Sequence, residues 1–103
     1  VTAARLVSSE SGRWELSGAL DFTTVTPLVK EGLGLLRRVP DRGRVEVDLS
    51  GVELANSAGL ALLLEWLEMA QLRDIQIAYH HLPDSLRRIA AFSNLQDLLP
   101  TGH

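Results

Sequence analysis

Ser57 is the side chain in this sequence best placed for chemistry. It lies in Asn56-Ser57-Ala58-Gly59-Leu60, among small residues and at the head of a long Leu-rich segment. A hydroxyl or amide at a helix amino end accepts hydrogen bonds from the first free N–H groups, so a capping role is expected whatever the function. The same position favours negative charge through the helix dipole, which makes Ser57 a phosphorylation candidate. Both uses stay open on residue type alone. Ala55-Asn56-Ser57-Ala58-Gly59 also has the form G-x-S-x-G with its first glycine replaced, between a strand and a helix, as in a nucleophile elbow. His80, His81 and Asp84 are the downstream partners to weigh. That architecture needs a larger sheet and an oxyanion loop after an earlier strand, so no catalytic residue is assigned and the chain is read as a non-enzyme. Adjacent histidines point to different sides and no carboxylate cluster stands at ligand spacing, so neither metal nor cofactor is expected. The sequence contains no G-x-x-x-x-G-K-[ST], so intrinsic ATPase activity is not expected either.

The elements that carry Ser57 follow from hydrophobic periodicity. Residues 3–8 and 13–17 read as an amino-terminal hairpin around the polar turn Ser9-Glu10-Ser11-Gly12. Residues 22–38 read as a first helix through Val25, Leu28, Val29, Leu33 and Leu36, weakened by Gly32 and Gly34. Pro40-Asp41-Arg42-Gly43 ends it, and Val45, Val47 and Leu49 alternate with Arg44, Glu46 and Asp48 as a strand with one wet face. A loop over residues 50–55 leads to the clearest helix, residues 57–72. Residues 75–79 read as another strand, with His80 and His81 at its end as partly exposed loop residues. Pro83 opens a helix with Leu86, Ile89, Ala90 and Phe92 as its buried stripe, and Leu95, Leu98 and Leu99 sit on a final short helix. The order is β-β-α-β-α-β-α-α, an α/β layer with a small mixed sheet covered by about four helices, in a single domain over residues 1–103.

A helical wheel of residues 57–72 places Leu60, Leu63, Leu64, Leu67, Ala70 and Gln71 on one face, enough to cover a sheet. Leu62, Trp66 and Met69 fall on the far side, with Ala58 just below, while Glu65 and Glu68 keep part of that outer face polar. Either another helix covers this stripe, or Trp66 and Met69 are anchors of a protein interface, where aromatic and Met side chains are enriched. The interface reading is preferred, and it expects Trp66→Glu to abolish partner binding without disturbing the fold. Arg37, Arg38, Arg42 and Arg44 read as a solvated helix end whose cations complement the dipole, and Arg87 and Arg88 as solvated positions mid-helix.

Composition narrows the functional classes. The 103 residues include no cysteine, which removes disulfides, thiolate metal sites and Cys nucleophiles and fits a reducing cytoplasm. A net charge of -3 argues against an extended nucleic-acid footprint, which needs a basic face. No apolar run approaches the roughly 18–20 residues of a membrane span, so any membrane contact is expected to be indirect.

Two motifs carry a resemblance. Val45-Glu46-Val47-Asp48-Leu49-Ser50-Gly51-Val52, followed by Asn56-Ser57-Ala58-Gly59-Leu60, resembles the STAS domain shared by anti-anti-sigma factors and the tails of sulfate transporters. Leu16-Ser17-Gly18-Ala19-Leu20-Asp21 is similar to that family's L-x-G-x-L-D turn, so the likeness spans nearly the whole chain. Leu60-Ala61-Leu62-Leu63-Leu64 and Leu95-Gln96-Asp97-Leu98-Leu99-Pro100 look most like the MlaB group, small cytoplasmic STAS subunits of phospholipid ABC transporters.

The resemblance implies a STAS fold and a non-catalytic subunit. Its partner would be an MlaF-like ABC ATPase in complex with a membrane permease, at the cytoplasmic face of the inner membrane, in a transporter that maintains outer-membrane lipid asymmetry. The contact would be made by Asn56, Ser57, Ala58, Gly59, Leu62, Glu65, Trp66 and Met69. In anti-anti-sigma factors the motif reads D-S-x-G-L and a partner kinase phosphorylates its serine. Ser57 occupies that place, while Asn56 stands where the motif has aspartate. An anti-anti-sigma switch is therefore the alternative.

Overall fold

Alternation along the strands sets the architecture. Trp14, Leu16 and Leu20 of β2 (Arg13–Leu20), Val45, Val47 and Leu49 of β3 (Arg44–Ala55), and Ile77 and Tyr79 of β4 (Gln76–His80) all point into one core. Arg13, Glu15, Arg44, Glu46, Asp48, Gln76 and His80 lie on the opposite face of the sheet and keep it polar. The computed structural model describes residues 3–9 and 11–101. The sheet has four strands in the order β1-β2-β3-β4, where β1 is Arg5–Ser8. β1 runs antiparallel to β2, and both remaining pairs are parallel. The parallel steps require crossovers, which α1 (Val25–Leu36) and α2 (Ser57–Leu72) supply. α3 (Asp84–Phe92) and a 3-10 turn, Gln96–Leu98, complete the order β-β-α-β-α-β-α expected from periodicity, with that turn in place of a fourth helix.

Several boundaries differ from the periodicity reading, each for a physical reason. Residues 50–55 are strand, not loop: irregularities in register between Glu15 and Ser17 and between Gly18 and Ala19 let β2 follow β3 to its end, with Leu20 opposite Ala55. Gly18, at φ 92°, takes a conformation that other residues rarely adopt. Phe22 precedes α1 and is exposed, and Phe92 sits on the solvent side of the last turn of α3, so neither joins the core. His80 is the last residue of β4, and His81 leaves it with φ 58°.

The larger correction concerns α2. Leu62 and Trp66 are fully buried, and Met69 is half-buried against the core, so they are not an exposed stripe. α1 lies over them. Trp66 reaches into the space left by Gly32, where a Cβ would overlap the indole, and its ring stands edge-on to Trp14 at 5.5 Å between centroids. Gly32, which costs helix propensity, is thus the slot that admits the largest core residue. The outward face of α2 carries Ser57, Ala61, Glu65, Glu68 and Leu72 instead.

Two side chains tie the layers together. Tyr79, buried in β4, donates its hydroxyl to the Leu63 carbonyl of α2 at 2.6 Å. Arg73, just past α2, caps the end of α1 by donating to the Leu36 and Val39 carbonyls and pairing with Asp41 at 2.9 Å. The cation that caps α1 therefore comes from the neighbouring helix and not from its own arginines.

Candidate partner-binding site

The end of the sheet where β2 and β3 finish presents Ser57. Asn56 has extended backbone and accepts the Ala58 N–H on Oδ1 at 2.8 Å, so the cap of α2 is the asparagine. Its own N–H donates to the Leu20 carbonyl at 3.1 Å, which fixes the helix start on the end of β2. Gly59 lets that first turn settle onto the strands: a Cβ there would stand 3.0 Å from the Cβ of Leu20 and 3.4 Å from that of Ala55. With capping done by its neighbour, Ser57 is exposed.

Asp21 organises the adjacent loop. Its carboxylate accepts from the Thr23 hydroxyl at 2.6 Å and from the Thr23 and Thr24 amides, while its own N–H donates to the Thr24 hydroxyl. This reciprocal turn launches α1. The Thr23 hydroxyl, then its amide, hold the Asp21 carboxyl below the usual carboxylate range.

Two large apolar side chains at the same end of the sheet as Ser57 are exposed. Leu54 is 72% exposed and Phe22 72%, and the pairing of Ala19 with Leu54 and Leu20 with Ala55 puts both at the end of the sheet where α2 begins. Sequence reasoning does not single them out: periodicity places Phe22 in the first helix and Leu54 in a loop. The available signal was an apolar residue that breaks the inward alternation after Gly51.

Of the residues expected to touch a partner, Ser57 and Glu65 are exposed and Asn56 is half-buried. Ala58, Gly59, Leu62 and Trp66 are buried, spent on seating the helix. Ser57 does not meet the histidines. His80 bonds Glu46 at 3.1 Å and His81 bonds Asp48 at 2.9 Å, both carboxylates lying on the polar face of β3. Asp48 is at least seven residues before the end of β3, about 23 Å of strand from it. Burial pushes the Asp48 carboxyl up, but the Ser50 amide and His81 outweigh it and hold it below its ordinary value. Among the described residues no group of three or more His, Asp or Glu could hold a metal ion, and no helix is long and apolar enough to cross a membrane.

A family model described as "Mlab, STAS domain" matches residues 6–100. The chain belongs to the STAS domain family. Solved STAS-like structures give the same fold. An anti-sigma factor antagonist from Mycobacterium paratuberculosis superposes with TM-score 0.76 at 20% identity, covering 98% of this chain and 85% of the other. The anti-sigma factor antagonist SpoIIAA in its unphosphorylated form gives 0.73 at 14% identity, covering 98% and 89%. An anti-sigma-factor antagonist (STAS) domain protein from Planctomyces limnophilus gives 0.74 at 17% identity, covering 99% and 90%. The sequence has no match among curated proteins. In STAS terms, the L-x-G-x-L-D motif is the end of β2 with its register irregularity at Gly18, not a turn, followed by the Asp21 loop, and the N-S-x-G-L segment is the seated first turn of α2.

Proposed function

We propose that this STAS domain is a non-catalytic subunit of a phospholipid ABC transporter, docking on the transporter's MlaF-like cytoplasmic ATPase and supporting its assembly or activity. The observation that carries the docking surface is the exposed Ser57 hydroxyl at the end of the sheet that also exposes Leu54 and Phe22, on a helix start fixed by Asn56 and Gly59. Exposed apolar anchors beside a small polar group on a fixed helix start suit a protein partner. The description of the matching family supports the choice of transporter. Glu65 and Glu68 extend the patch along α2 and would meet basic residues of the partner. The partner binds ATP, and this chain contributes surface.

The second reading is an anti-sigma factor antagonist switched by phosphorylation of Ser57. The anti-sigma factor antagonists among its structural neighbours and the exposed hydroxyl at the amino end of α2 favour it. Affinity purification of the tagged chain from its native cells separates the two. Recovery of an ABC ATPase with its permease, lost in Leu54→Glu and Ser57→Arg, supports the first reading. Recovery of a small kinase, with a phosphate added to Ser57, replaces it with the second.

A further inference from the structure

At the opposite end of β3 from Ser57, an open cleft of about 430 Å³ lies between the β1–β2 turn, the carboxyl end of α1 and the start of β3. Arg38, just past α1, and Arg44, the first residue of β3, line it from different elements, Ser9 and Ser11 line it from the turn, and Leu35, Val39 and Pro40 supply an apolar side, with Trp14 buried beneath. Neither guanidinium has a carboxylate partner among the described residues. The cleft rests on a rigid floor: Trp14 is 2% exposed and is braced edge-on by Trp66. The turn is held close to β3, since a Cβ at Gly12 would come within 2.7 Å of the Arg44 carbonyl. Charge is unevenly distributed. The chain carries -3 overall, yet Arg37, Arg38, Arg42 and Arg44 follow one another at this end, where Asp41 is already engaged by Arg73 and Asp74 lies on the far side, beside Arg42. Glu10 belongs to the same turn in sequence and lies outside the described residues.

We infer that this cleft binds a small phosphate monoester with an apolar or ring-bearing body. Guanidinium forks bond phosphate oxygens in pairs, and hydroxyls that rotate freely complete the coordination of a tetrahedral dianion. The apolar side formed by Leu35, Val39 and Pro40 accepts the body of the ligand, and the volume is in the range of small-molecule sites. The site is separate from the Ser57 surface, so neither inference depends on the other.

Titration of the full chain with phenyl phosphate at low ionic strength, followed by the indole N–H resonance of Trp14, tests this. Saturable binding is expected, weaker for inorganic phosphate, which lacks the ring. Arg38→Gln and Arg44→Gln are each expected to weaken binding about tenfold or more, since each removes charge-assisted hydrogen bonds. Arg87→Gln, on α3, is expected to leave it unchanged. Absence of saturation at millimolar phenyl phosphate, or equal affinity in the Arg38 and Arg44 variants, overturns the site. An Arg87 effect as large as theirs also overturns it by showing diffuse charge attraction. Vesicles of phosphatidic acid against phosphatidylcholine identify the source of the phosphate. Retention on the former that needs Arg38 and Arg44 assigns a lipid headgroup, whereas phenyl phosphate binding without retention assigns a free ester. Loss of both is the overturning result.

Discussion

The indole of Trp66 occupies the place a side chain at residue 32 would need, so Gly32 and Trp66 are a single packing unit shared by α1 and α2. Gly32→Ala should therefore destabilise the protein, although alanine favours a helix by about 1 kcal/mol, because overpacking a core costs about 1–3 kcal/mol. Trp66→Ala should cost about 3–5 kcal/mol, and Trp66→Glu should prevent folding. Denaturant unfolding of the single variants and of Gly32→Ala with Trp66→Phe is the check. The double variant should lose less than the sum, because the smaller ring relieves the overlap.

Arg73 and Asp41 form an ion pair whose members should differ widely in worth. Arg73→Ala strips a charge-assisted partner from the Leu36 and Val39 carbonyls at the end of α1 and is expected to cost about 1–3 kcal/mol. Asp41 is largely exposed, and Asp41→Ala should cost no more than about 1 kcal/mol. Melting curves of the two variants, measured side by side, decide whether Arg73 acts as a helix cap or merely as half of a surface pair.

Tyr79 gives a prediction in pH. Burial pushes its phenol well above the usual tyrosine value of 10.0, while the unfolded chain titrates near that value. The folded state therefore keeps a proton that the unfolded state loses. Stability from this residue is complete below pH 10 and should fall as pH rises above it, by up to about 1.4 kcal/mol per pH unit. Tyr79→Phe should lose about 0.5–1.5 kcal/mol at neutral pH with the Leu63 hydrogen bond, and its alkaline decline should be shallower. Urea unfolding from pH 8 to about pH 12 reads both effects.

Capping and contact can be separated at the start of α2. Asn56→Ala should cost about 1 kcal/mol, because the Ala58 amide loses its acceptor, and Asn56→Asp should stay within about 0.5 kcal/mol. Ser57→Arg and Leu54→Glu should leave the melting temperature nearly unchanged, since both side chains are exposed, and on the proposed function should abolish retention of the proposed ATPase partner. A large loss of stability in Leu54→Glu would remove this surface from consideration.

The sheet and α2 were legible because their patterns are local. Val45, Val47 and Leu49 alternate, and Asn56 and Ser57 announce a helix whose extent, Ser57–Leu72, the apolar run then gives. What was not legible depends on a second element. A wheel shows where Leu62 and Trp66 point but not that α1 lies above them, and Gly32 reads as a weak spot until its neighbour is known. Arg73 looks like one more surface cation, because the carbonyls it caps lie 37 and 34 residues away. Of the candidate site, Ser57 and a capped helix start were evident from residue type, while the division of labour, with Asn56 capping and Ser57 left exposed, was not. Leu54 and Phe22 were hidden, because their exposure follows from how far β2 and β3 stay paired.

Strand order in this sheet equals chain order. Each parallel step moves the same way, and right-handed connections then put both crossovers on one face. Open α/β sheets enclose their ligands at a topological switch point, where the direction of winding reverses and two neighbouring loops part to leave a crevice. A sheet wound in one direction has no reversal. The strand ends beside Ser57 thus lack the crevice in which such sheets hold a small ligand, and what they offer is side chains on an open edge, the kind of surface another macromolecule can grip.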